Sequence, residues 1–370
     1  MIAPRSPILR PISGLAGPAH PSLLDRPSRL GLLSMHFVRT MFTLTTLVST
    51  ILFCPIAANA EFRTDALRAK IEALDKKSGS GRLGVGLVDL TDGDSWSWRG
   101  DESFPMQSVY KLPIALAALK AVDEGRRNLD ERISLGREDL SIQWSPIARE
   151  FKGEPATYTV RQLLEHALQQ SDNTASDVLL RLVGGPGSVT ALLRRHGIDG
   201  MRVDRPEREM QPEVLGLPPF RPEWTNEAAL TAALNDLPQP AKRAALAAYL
   251  ADGRDTATPK AAAHLLAKLA RGELLSKPTT RIFLDILAGT RTGGSRIKAG
   301  VPEGSTVAHK TGTAMDVLGI GPAVNDAGLV TLPERRQLVV AVFVAGSDSS
   351  PAERERLIAD VTRAAIEALR

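Results

Sequence analysis

The sequence predicts an α/β (α+β) protein in which a five-stranded antiparallel sheet is built from both ends of the chain and flanked by helices, with a large all-α subdomain in between. Residues 83–90 and 95–98 alternate apolar and polar residues around the turn 91–94, which is typical of a β-hairpin. Three further strand-like stretches follow Gly300, and Ala/Leu-rich helical stretches fill the middle. We therefore expect the two groups of strands to form one sheet, with the ligand site in the cleft beside the helices.

The elements follow one another in the order helix, hairpin, helical middle, strands and closing helix. The first helix is predicted over residues 61–77, where apolar residues recur at helical spacing until Ser and Gly residues end it. Other segments with clear helix or strand character are 160–169, 174–182 and 259–269 (helices), 306–309, 327–332 and 337–344 (strands), and 351–369 (helix). We divide the chain into an α/β subdomain of residues 61–103 plus 296–370 and an all-α subdomain of residues 104–295.

Residues 1–60 are predicted to be a leader that the mature protein lacks. Residues 41–56 form an uncharged apolar stretch, and the small residues of the segment 58–60 form a cleavage signal. At about sixteen residues the stretch is short for a membrane span of roughly twenty. We expect a signal peptide at residues 35–60 with cleavage after Ala60, and hence a periplasmic or secreted protein.

Composition excludes several classes of function. Cys54 is the one cysteine of the 370 residues, which excludes a disulfide framework, a multi-thiolate zinc site and an iron–sulfur cluster. The excess of basic residues lies in the leader, and the rest of the chain carries equal numbers of basic and acidic residues, so no nucleic-acid partner is expected. The six histidines show no metal-binding spacing, and we expect neither a metal nor another cofactor.

Ser108 and Lys111 are the first candidate catalytic residues. They lie three residues apart at the start of an apolar helical run, which places both side chains on one face of a helical turn. The lysine amine is then expected to reach the serine hydroxyl, and the free N–H groups at a helix N-terminus favour a developing oxyanion. Because Ser-x-x-Lys arises easily by chance, it carries weight only in combination with other motifs.

Two further motifs contain residues suited to catalysis. Ser171-Asp-Asn173 falls in a break between two predicted helices, where the same residue types also serve as helix N-caps. Lys310-Thr-Gly-Thr313 ends an apolar stretch typical of a strand. We expect its lysine and threonine side chains to face a cleft beside the sheet edge, with an ordinary strand-end turn as the alternative.

In this order, Ser-x-x-Lys, Ser-Asp-Asn and Lys-Thr-Gly resemble the motif set of class A serine β-lactamases and penicillin-binding proteins. From about Phe62 to its end the chain resembles a class A β-lactamase, which implies a β-lactamase/transpeptidase-like fold. Glu207 resembles the omega-loop carboxylate of that class, which penicillin-binding transpeptidases generally lack. The resemblance implies an omega loop over residues 202–255, in which Arg205 pairs with Asp255.

The omega loop departs from the family pattern in two ways. Gln211 stands where the family commonly has an asparagine that helps to hold the deacylating water. Residues 212–250 form an insertion, which is tolerable because a threefold longer loop costs only about 1 kcal/mol in closure entropy. We expect a helical hairpin of residues 226–234 and 241–250 that caps the omega loop, with these apolar side chains beneath it: Leu215, Leu217, Phe220 and Trp224.

The resemblance implies a role for each matched residue. Ser108 attacks the lactam carbonyl after losing its proton to Lys111, or to Glu207 through water, and both routes stay open. Ser171, helped by Lys310, protonates the departing nitrogen, and Glu207 activates the water that hydrolyses the acyl-enzyme. The resemblance further implies that the backbone N–H groups of Ser108 and Thr313 form the oxyanion hole. The substrate carboxylate would be bound by Thr311, Gly312, Thr313 and Arg296. Asn173 would bind the acylamino side chain of the substrate, Trp144 would form an aromatic wall, and Gln211 would hold the deacylating water.

The predicted function is hydrolysis of β-lactam antibiotics through a serine acyl-enzyme intermediate that is deacylated by Glu-activated water. One alternative is a penicillin-binding peptidase or esterase-like serine hydrolase with slow deacylation, and another is a non-catalytic β-lactam-binding module. The expected partner is a small-molecule β-lactam, without nucleic acid and, after leader cleavage, without a membrane. The family resemblance implies a monomer.

Overall fold

The computed structural model describes residues 62–369. The leader predicted at residues 1–60, with Cys54 and the cleavage site after Ala60, lies outside the described residues. In the described part of the chain no helix is both long and apolar enough to cross a membrane.

The strands are β1 (Arg82–Asp89), β2 (Ser95–Trp98), β3 (Phe104–Pro105), β4 (Arg132–Leu135), β5 (Ala156–Thr159), β6 (Thr256–Ala257), β7 (Thr306–Thr313), β8 (Gly321–Thr331) and β9 (Gln337–Ser347). The helices are α1 (Thr64–Asp75), α2 (Lys111–Asp123), α3 (Pro146–Glu150), α4 (Val160–Gln169), α5 (Asn173–Leu182), α6 (Pro186–Arg195), α7 (Glu207–Leu215), α8 (Glu227–Asp236), α9 (Gln239–Ala251), α10 (Pro259–Ala270), α11 (Lys277–Ala288), α12 (Ile297–Gly300) and α13 (Pro351–Glu367). Short 3₁₀ turns lie at Lys76–Ser78, Gln107–Tyr110, Arg137–Asp139 and Pro222–Thr225.

One antiparallel sheet joins both ends of the chain, with the strand order β2-β1-β9-β8-β7. The N-terminal strand β1 lies between β2 and the C-terminal strand β9, so that Val85 is opposite Trp98 on one side and Val342 on the other. The predicted fold class is therefore confirmed. β7 forms one edge of the sheet, and it carries the Lys-Thr-Gly motif inside the strand rather than in a turn after it.

Helices cover both faces of this sheet, which explains why its central strands are buried on both sides. One face packs against α1 and α13 in an apolar cluster that includes Leu67, Val340 and Ile358. The other face packs against α10 and continues into the core of the helical subdomain. Gly86 permits the contact with α10, because a Cβ atom there would lie 2.2 Å from the backbone oxygen of Pro259.

The helical subdomain is organised around α2, which is buried almost all round and packs against α4, α5, α6 and α11. A helix that is apolar on every side belongs in the centre of a core. Two small sheets, β3 with β6 and β4 with β5, also lie in this part of the chain. The sequence did not predict them, because strands of two to four residues are too short to show alternation.

The insertion contains the two expected helices, α8 and α9, but they do not form the predicted hairpin. α8 packs on the 3₁₀ turn Pro222–Thr225, whereas α9 packs on α7, so the two helices do not lie along each other. The expected apolar side chains form a small separate cluster with Leu230 and Ile142: Leu215, Leu217 and Trp224, with Phe220 at its edge. The sequence did not predict α7, because Pro212 interrupts its helical pattern.

Candidate active site

Ser108 lies on the 3₁₀ turn Gln107–Tyr110, which leads directly into α2, and it lines a cleft of about 620 Å³. The Nδ2 of Asn325 on β8 holds the chain before this turn by donating to the Pro105 oxygen at 2.8 Å and the Met106 oxygen at 3.0 Å. A Cβ atom at Gly312 would lie 2.4 Å from the Met106 oxygen. Only glycine there lets β7 approach the turn that carries Ser108 this closely.

Lys111 is buried, and three acceptors surround its ammonium group. Its Nζ lies 2.7 Å from the backbone oxygen of Ser171, 2.6 Å from Asn173 Oδ1 and 3.1 Å from Glu207 Oε1. Nζ donates hydrogen bonds to the first two, whereas its contact with Glu207 is an ion pair, and Glu207 Oε1 accepts no hydrogen bond from the described residues. Within residues 62–369 the Ser108 hydroxyl makes no hydrogen bond to this amine, so the contact expected from the Ser-x-x-Lys spacing is replaced by the pair with Glu207.

The Ser171 hydroxyl lies between two lysines. Lys310 Nζ donates to it at 2.9 Å, and Lys111 Nζ is 3.5 Å away. Burial lowers the pKa of Lys310 well below its ordinary value, and the neighbouring charge of Lys111 lowers it further. Asp172 is the N-cap of α5, accepting from Ala175 N at 2.9 Å, so the Ser-Asp-Asn motif both caps a helix and directs its outer two side chains to the cluster.

Glu207 is the first residue of α7 and is fully buried. The Asp177 carboxylate on α5 holds this helix start, because it accepts from Glu207 N at 2.6 Å and from Arg208 N at 3.1 Å. Burial, and secondly the charge of Glu207, raise the pKa of Asp177 to about 7. Asp177 on α5 thereby fixes the Glu207 carboxylate next to Lys111.

Gln211, one turn after Glu207 on α7, shares in this network. Its Nε2 donates to Glu207 Oε2 at 2.7 Å and to Gln107 Oε1 at 3.2 Å. Its own Oε1 is buried and accepts no hydrogen bond from the described residues. Asn173 has one side-chain N–H engaged by the Ile142 oxygen at 3.0 Å, which leaves the second N–H for a ligand.

The two ends of the omega loop are joined by Arg205 and Asp255, whose side chains lie 2.7 Å apart. Asp255 also accepts from the backbone N–H groups of Asp204 and Arg205, at 2.7 and 3.1 Å. Arg205 further contacts Glu213 at 2.5 Å. These contacts, with the Arg205–Asp255 pair buried, close the loop although a long insertion lies between its ends.

The edge strand β7 presents polar groups to the cleft. Ala314 N donates to Ala323 O on β8, and because antiparallel pairing alternates, the N–H of Thr313 points away from β8. Arg296 donates to Thr313 Oγ1 at 2.7 Å and lies 3.0 Å from Glu355 on α13. Thr311 Oγ1 contacts Thr292 Oγ1 at 2.7 Å. A cation and two threonine hydroxyls therefore lie together beside the strand.

Two parts of the chain line the cleft as walls, namely the expected aromatic residue Trp144 and helix α8 of the insertion. Trp144 is about half exposed, donates through Nε1 to the Gln170 oxygen at 2.7 Å, and is stacked by the Arg149 guanidinium. Leu230 and Leu234 of α8 line the same cleft.

Sequence reasoning missed three polar side chains and one tyrosine of this site: Gln107, Asp177, Asn325 and Tyr249. Asp177 lies one helical turn after Asn173, which is the signal that would have found it. The others are ordinary residue types outside the motifs. Among the described residues, no group of three or more His, Cys, Asp or Glu is arranged to hold a metal ion.

The sheet with its helical subdomain, and a cleft lined by Ser108 and by Ser171 with two buried lysines at its hydroxyl, are typical of a serine hydrolase. A family model described as the beta-lactamase enzyme family matches residues 66–369. The chain is 32% identical to beta-lactamase VEB-1 of Pseudomonas aeruginosa, over 88% of this chain and 95% of that protein. It is also 32% identical to the carbapenem-hydrolyzing beta-lactamase KPC of Klebsiella oxytoca, over 78% of this chain and 84% of that protein.

Solved structures give the same result. An ancestral class A beta-lactamase (GNCA) is 35% identical, with a TM-score of 0.65 over 82% of this chain and 100% of that one. A beta-lactamase from Chitinophaga pinensis is 30% identical, with a TM-score of 0.65 over 80% of this chain and 97% of that one. The chain belongs to the beta-lactamase enzyme family, as a member of class A.

Proposed function

We propose that this protein hydrolyses β-lactam antibiotics, with Ser108 as the nucleophile and Glu207 as the group that activates the deacylating water. The observation that carries the proposal is the buried Glu207 carboxylate, 3.1 Å from Lys111 Nζ and 2.7 Å from the Gln211 amide. A hydrolase needs such a base beside the acyl-enzyme, whereas an enzyme that retains its acyl group does not. This favours hydrolysis over slow deacylation.

Acylation begins with the loss of the Ser108 proton, either to Lys111, which passes a proton of its own to Glu207, or through water to Glu207. Because the two side chains form one ion pair, both routes leave the proton on that pair. The serine oxygen forms a bond to the lactam carbonyl carbon, and the backbone N–H groups of Ser108 and Thr313 stabilise the oxyanion. One such donor contributes about 3 kcal/mol in other acyl transferases.

The C–N bond of the lactam then breaks, and its nitrogen takes the proton of the Ser171 hydroxyl. Ser171 recovers a proton from Lys111, whose Nζ lies 3.5 Å from its hydroxyl, so the Lys111–Glu207 pair gives up the proton taken from Ser108 and Glu207 is a carboxylate again before deacylation. Lys310 Nζ, 2.9 Å from the Ser171 hydroxyl, holds that hydroxyl by donating a hydrogen bond to it. Arg296, Thr311 and Thr313 bind the substrate carboxylate by charge-assisted hydrogen bonds.

Deacylation regenerates the free serine. Glu207 takes a proton from water, the water oxygen attacks the ester carbonyl, and the Ser108 oxygen leaves with a proton returned from the Lys111–Glu207 pair. Gln211 helps to hold the water through its free Oε1.

One assay tests this function. The mature protein is incubated with a chromogenic cephalosporin while colour and protein mass are recorded. Sustained hydrolysis is expected, with Ser108→Ala forming no adduct and Glu207→Gln accumulating a stable one. A single stoichiometric burst in the unmodified protein would favour a slowly deacylating peptidase or esterase, and no adduct at all would leave a non-catalytic binding module.

The compartment and assembly state are also part of the proposal. The apolar stretch 41–56 and the small residues before Glu61 support export to the periplasm or medium, with cleavage after Ala60. The mass of the exported protein from an expressing cell and its elution volume on size exclusion test the cleavage site and the expected monomer.

A further inference from the structure

Tyr249 connects the insertion to the active site. It is the buried residue that α9 contributes, and its Oη accepts a hydrogen bond of 2.6 Å from Gln107 Nε2. Burial raises the pKa of Tyr249 above its ordinary value, so the phenol is neutral at physiological pH. The insertion helix therefore ends in a polar contact with the residue directly before the nucleophile.

A chain of three hydrogen bonds continues from this phenol to the catalytic carboxylate. Gln107 Oε1 accepts from Gln211 Nε2 at 3.2 Å, and the same Nε2 donates to Glu207 Oε2 at 2.7 Å. All four side chains are buried.

The donor-to-acceptor direction of these three hydrogen bonds follows from the groups that they join. The NH₂ group of Gln211 points towards Glu207 and donates to its Oε2, and the same NH₂ group also donates to Gln107 Oε1. The NH₂ group of Gln107 then needs an acceptor, which is Tyr249 Oη. Without the hydroxyl, both possible orientations of the Gln107 amide leave a buried polar group unpaired.

Gln107 is also the point where the backbone before Ser108 is strained. Its φ is +46°, in the left-handed region that non-glycine residues rarely adopt. Such a conformation persists only when its surroundings hold it, and the side-chain amide, fixed at both ends, supplies part of that hold.

We infer that Tyr249 is a positioning residue for deacylation, which makes the insertion a part of the catalytic support. Tyr249 acts through the side-chain amides of Gln107 and Gln211. These amides fix the Glu207 carboxylate, and they also fix Gln211 Oε1, the acceptor for the deacylating water. The inference rests on the proposed function. The inference predicts different effects on acylation and deacylation. Deacylation depends on Glu207 and Gln211 together, whereas in acylation Ser108 can transfer its proton through Lys111.

The test is Tyr249→Phe, which keeps the ring and removes the hydroxyl. Stopped-flow and mass measurements with a chromogenic cephalosporin give the acylation and deacylation rates and the acylated fraction. We expect deacylation to slow at least fivefold, acylation to change less than twofold, and the acylated fraction at steady state to rise. Tyr158→Phe, which removes a hydroxyl from β5 on a half-exposed ring, is the matched control and should leave both rates unchanged.

A double variant distinguishes positioning from general structural damage. If Tyr249 acts through Gln211, adding Tyr249→Phe to Gln211→Ala produces no further loss of deacylation, whereas independent effects multiply. Gln107→Leu breaks the same chain at its middle and should reproduce the slow deacylation if Tyr249→Phe does not fold.

Unchanged deacylation in a folded Tyr249→Phe, equal losses of both rates, or multiplying losses in the double variant would overturn the inference. The proposed function fails on a different result, namely an unmodified protein that forms no adduct or never releases it.

Discussion

The catalytic cluster and the omega-loop insertion are stabilised in opposite ways. The cluster consists of buried polar side chains that hold one another by hydrogen bonds and ion pairs: Lys111, Ser171, Asn173, Glu207 and Lys310. In the insertion, α8 and α9 are mostly exposed, and each buries a single residue, Leu230 and Tyr249. A buried polar network is stable only when complete, whereas a small apolar cluster under exposed helices can open by itself. We therefore expect changes in the cluster to affect the whole fold and changes in the insertion to act locally.

The largest effect is expected from Lys111→Met. Because it leaves the Glu207 carboxylate buried without its cation, the free energy of unfolding should fall by about 3–5 kcal/mol and acylation should be lost. Urea unfolding measures the first effect and adduct mass the second. The double variant Lys111→Met/Glu207→Gln should recover much of the stability but no activity.

An exposed ion pair provides the control. Lys70 and Glu367 are both about half exposed, so Lys70→Met should change stability by at most about 1 kcal/mol. If Lys111→Met/Glu207→Gln is no more stable than Lys111→Met, the unpaired Glu207 carboxylate is not the cause of the lower free energy of unfolding.

A second effect concerns pH and Asp177. In the folded protein its pKa is raised to about 7, first by burial and then by Glu207, although Ser141 and two backbone N–H groups favour the ionised form. An unfolded aspartate releases its proton near pH 4. Between about pH 4 and 7 the folded state therefore binds more protons, and its stability falls as the pH rises.

Asp177→Asn should remove this dependence. Urea unfolding at several pH values should show the unmodified protein losing about 1–3 kcal/mol relative to the variant as pH rises from 4 to 7. Other groups, including Asp172 with its raised pKa, contribute to both proteins and cancel in the difference. Parallel stability curves for the two proteins would be incompatible with a protonated Asp177 below pH 7.

The cluster was more predictable from sequence than the insertion. Each motif is a short run of residue types whose chemistry is specific, and Ser171-Asp-Asn and Lys310-Thr-Gly need only their own helix start or strand to face the cleft. The sheet was predictable because β1, β2 and β9 show clear alternation or continuous apolar character. These signals are local, so a single sequence contains them.

The contacts that the sequence did not reveal join distant and ordinary residues. Tyr249 and Gln107 are 142 positions apart, and neither residue type indicates a catalytic role. The Lys111 amine was expected at Ser108, but in the structure it donates to Ser171 O and Asn173 Oδ1 and pairs with Glu207, and the spacing within one motif does not reveal these partners. The hairpin expectation was wrong because helix periodicity identifies α8 and α9 without saying which surface each one contacts.

A smaller and more local effect is expected from Trp224→Ala in the apolar cluster of the insertion. Loss of this side chain should let α8 open without unfolding the rest, because α8 packs on the turn that carries Trp224. Cleavage by a glutamate-specific protease beside Glu227 in α8 should then accelerate at least tenfold, while the midpoint of global urea unfolding changes little. Phe283→Ala in the main core is the matched variant and should shift the global midpoint. Equal global shifts for the two would show that the insertion unfolds together with the core.

The smallest effect is expected from Leu234→Ala, which alters the wall that α8 contributes to the cleft. Under the proposed function this wall contacts the acylamino side chain of the substrate, so kcat/KM for a benzylpenicillin should fall by about three- to tenfold, as expected when a few methyl groups lose contact. For 6-aminopenicillanic acid, which has no acyl side chain, kcat/KM should stay within twofold. Asn235→Ala, on the same helix but outside the cleft lining, should change neither value. If both substrates lose equally with Leu234→Ala, α8 supports the site as a whole, and the contrast between a cluster that catalyses and a helix, α8, that selects would not hold.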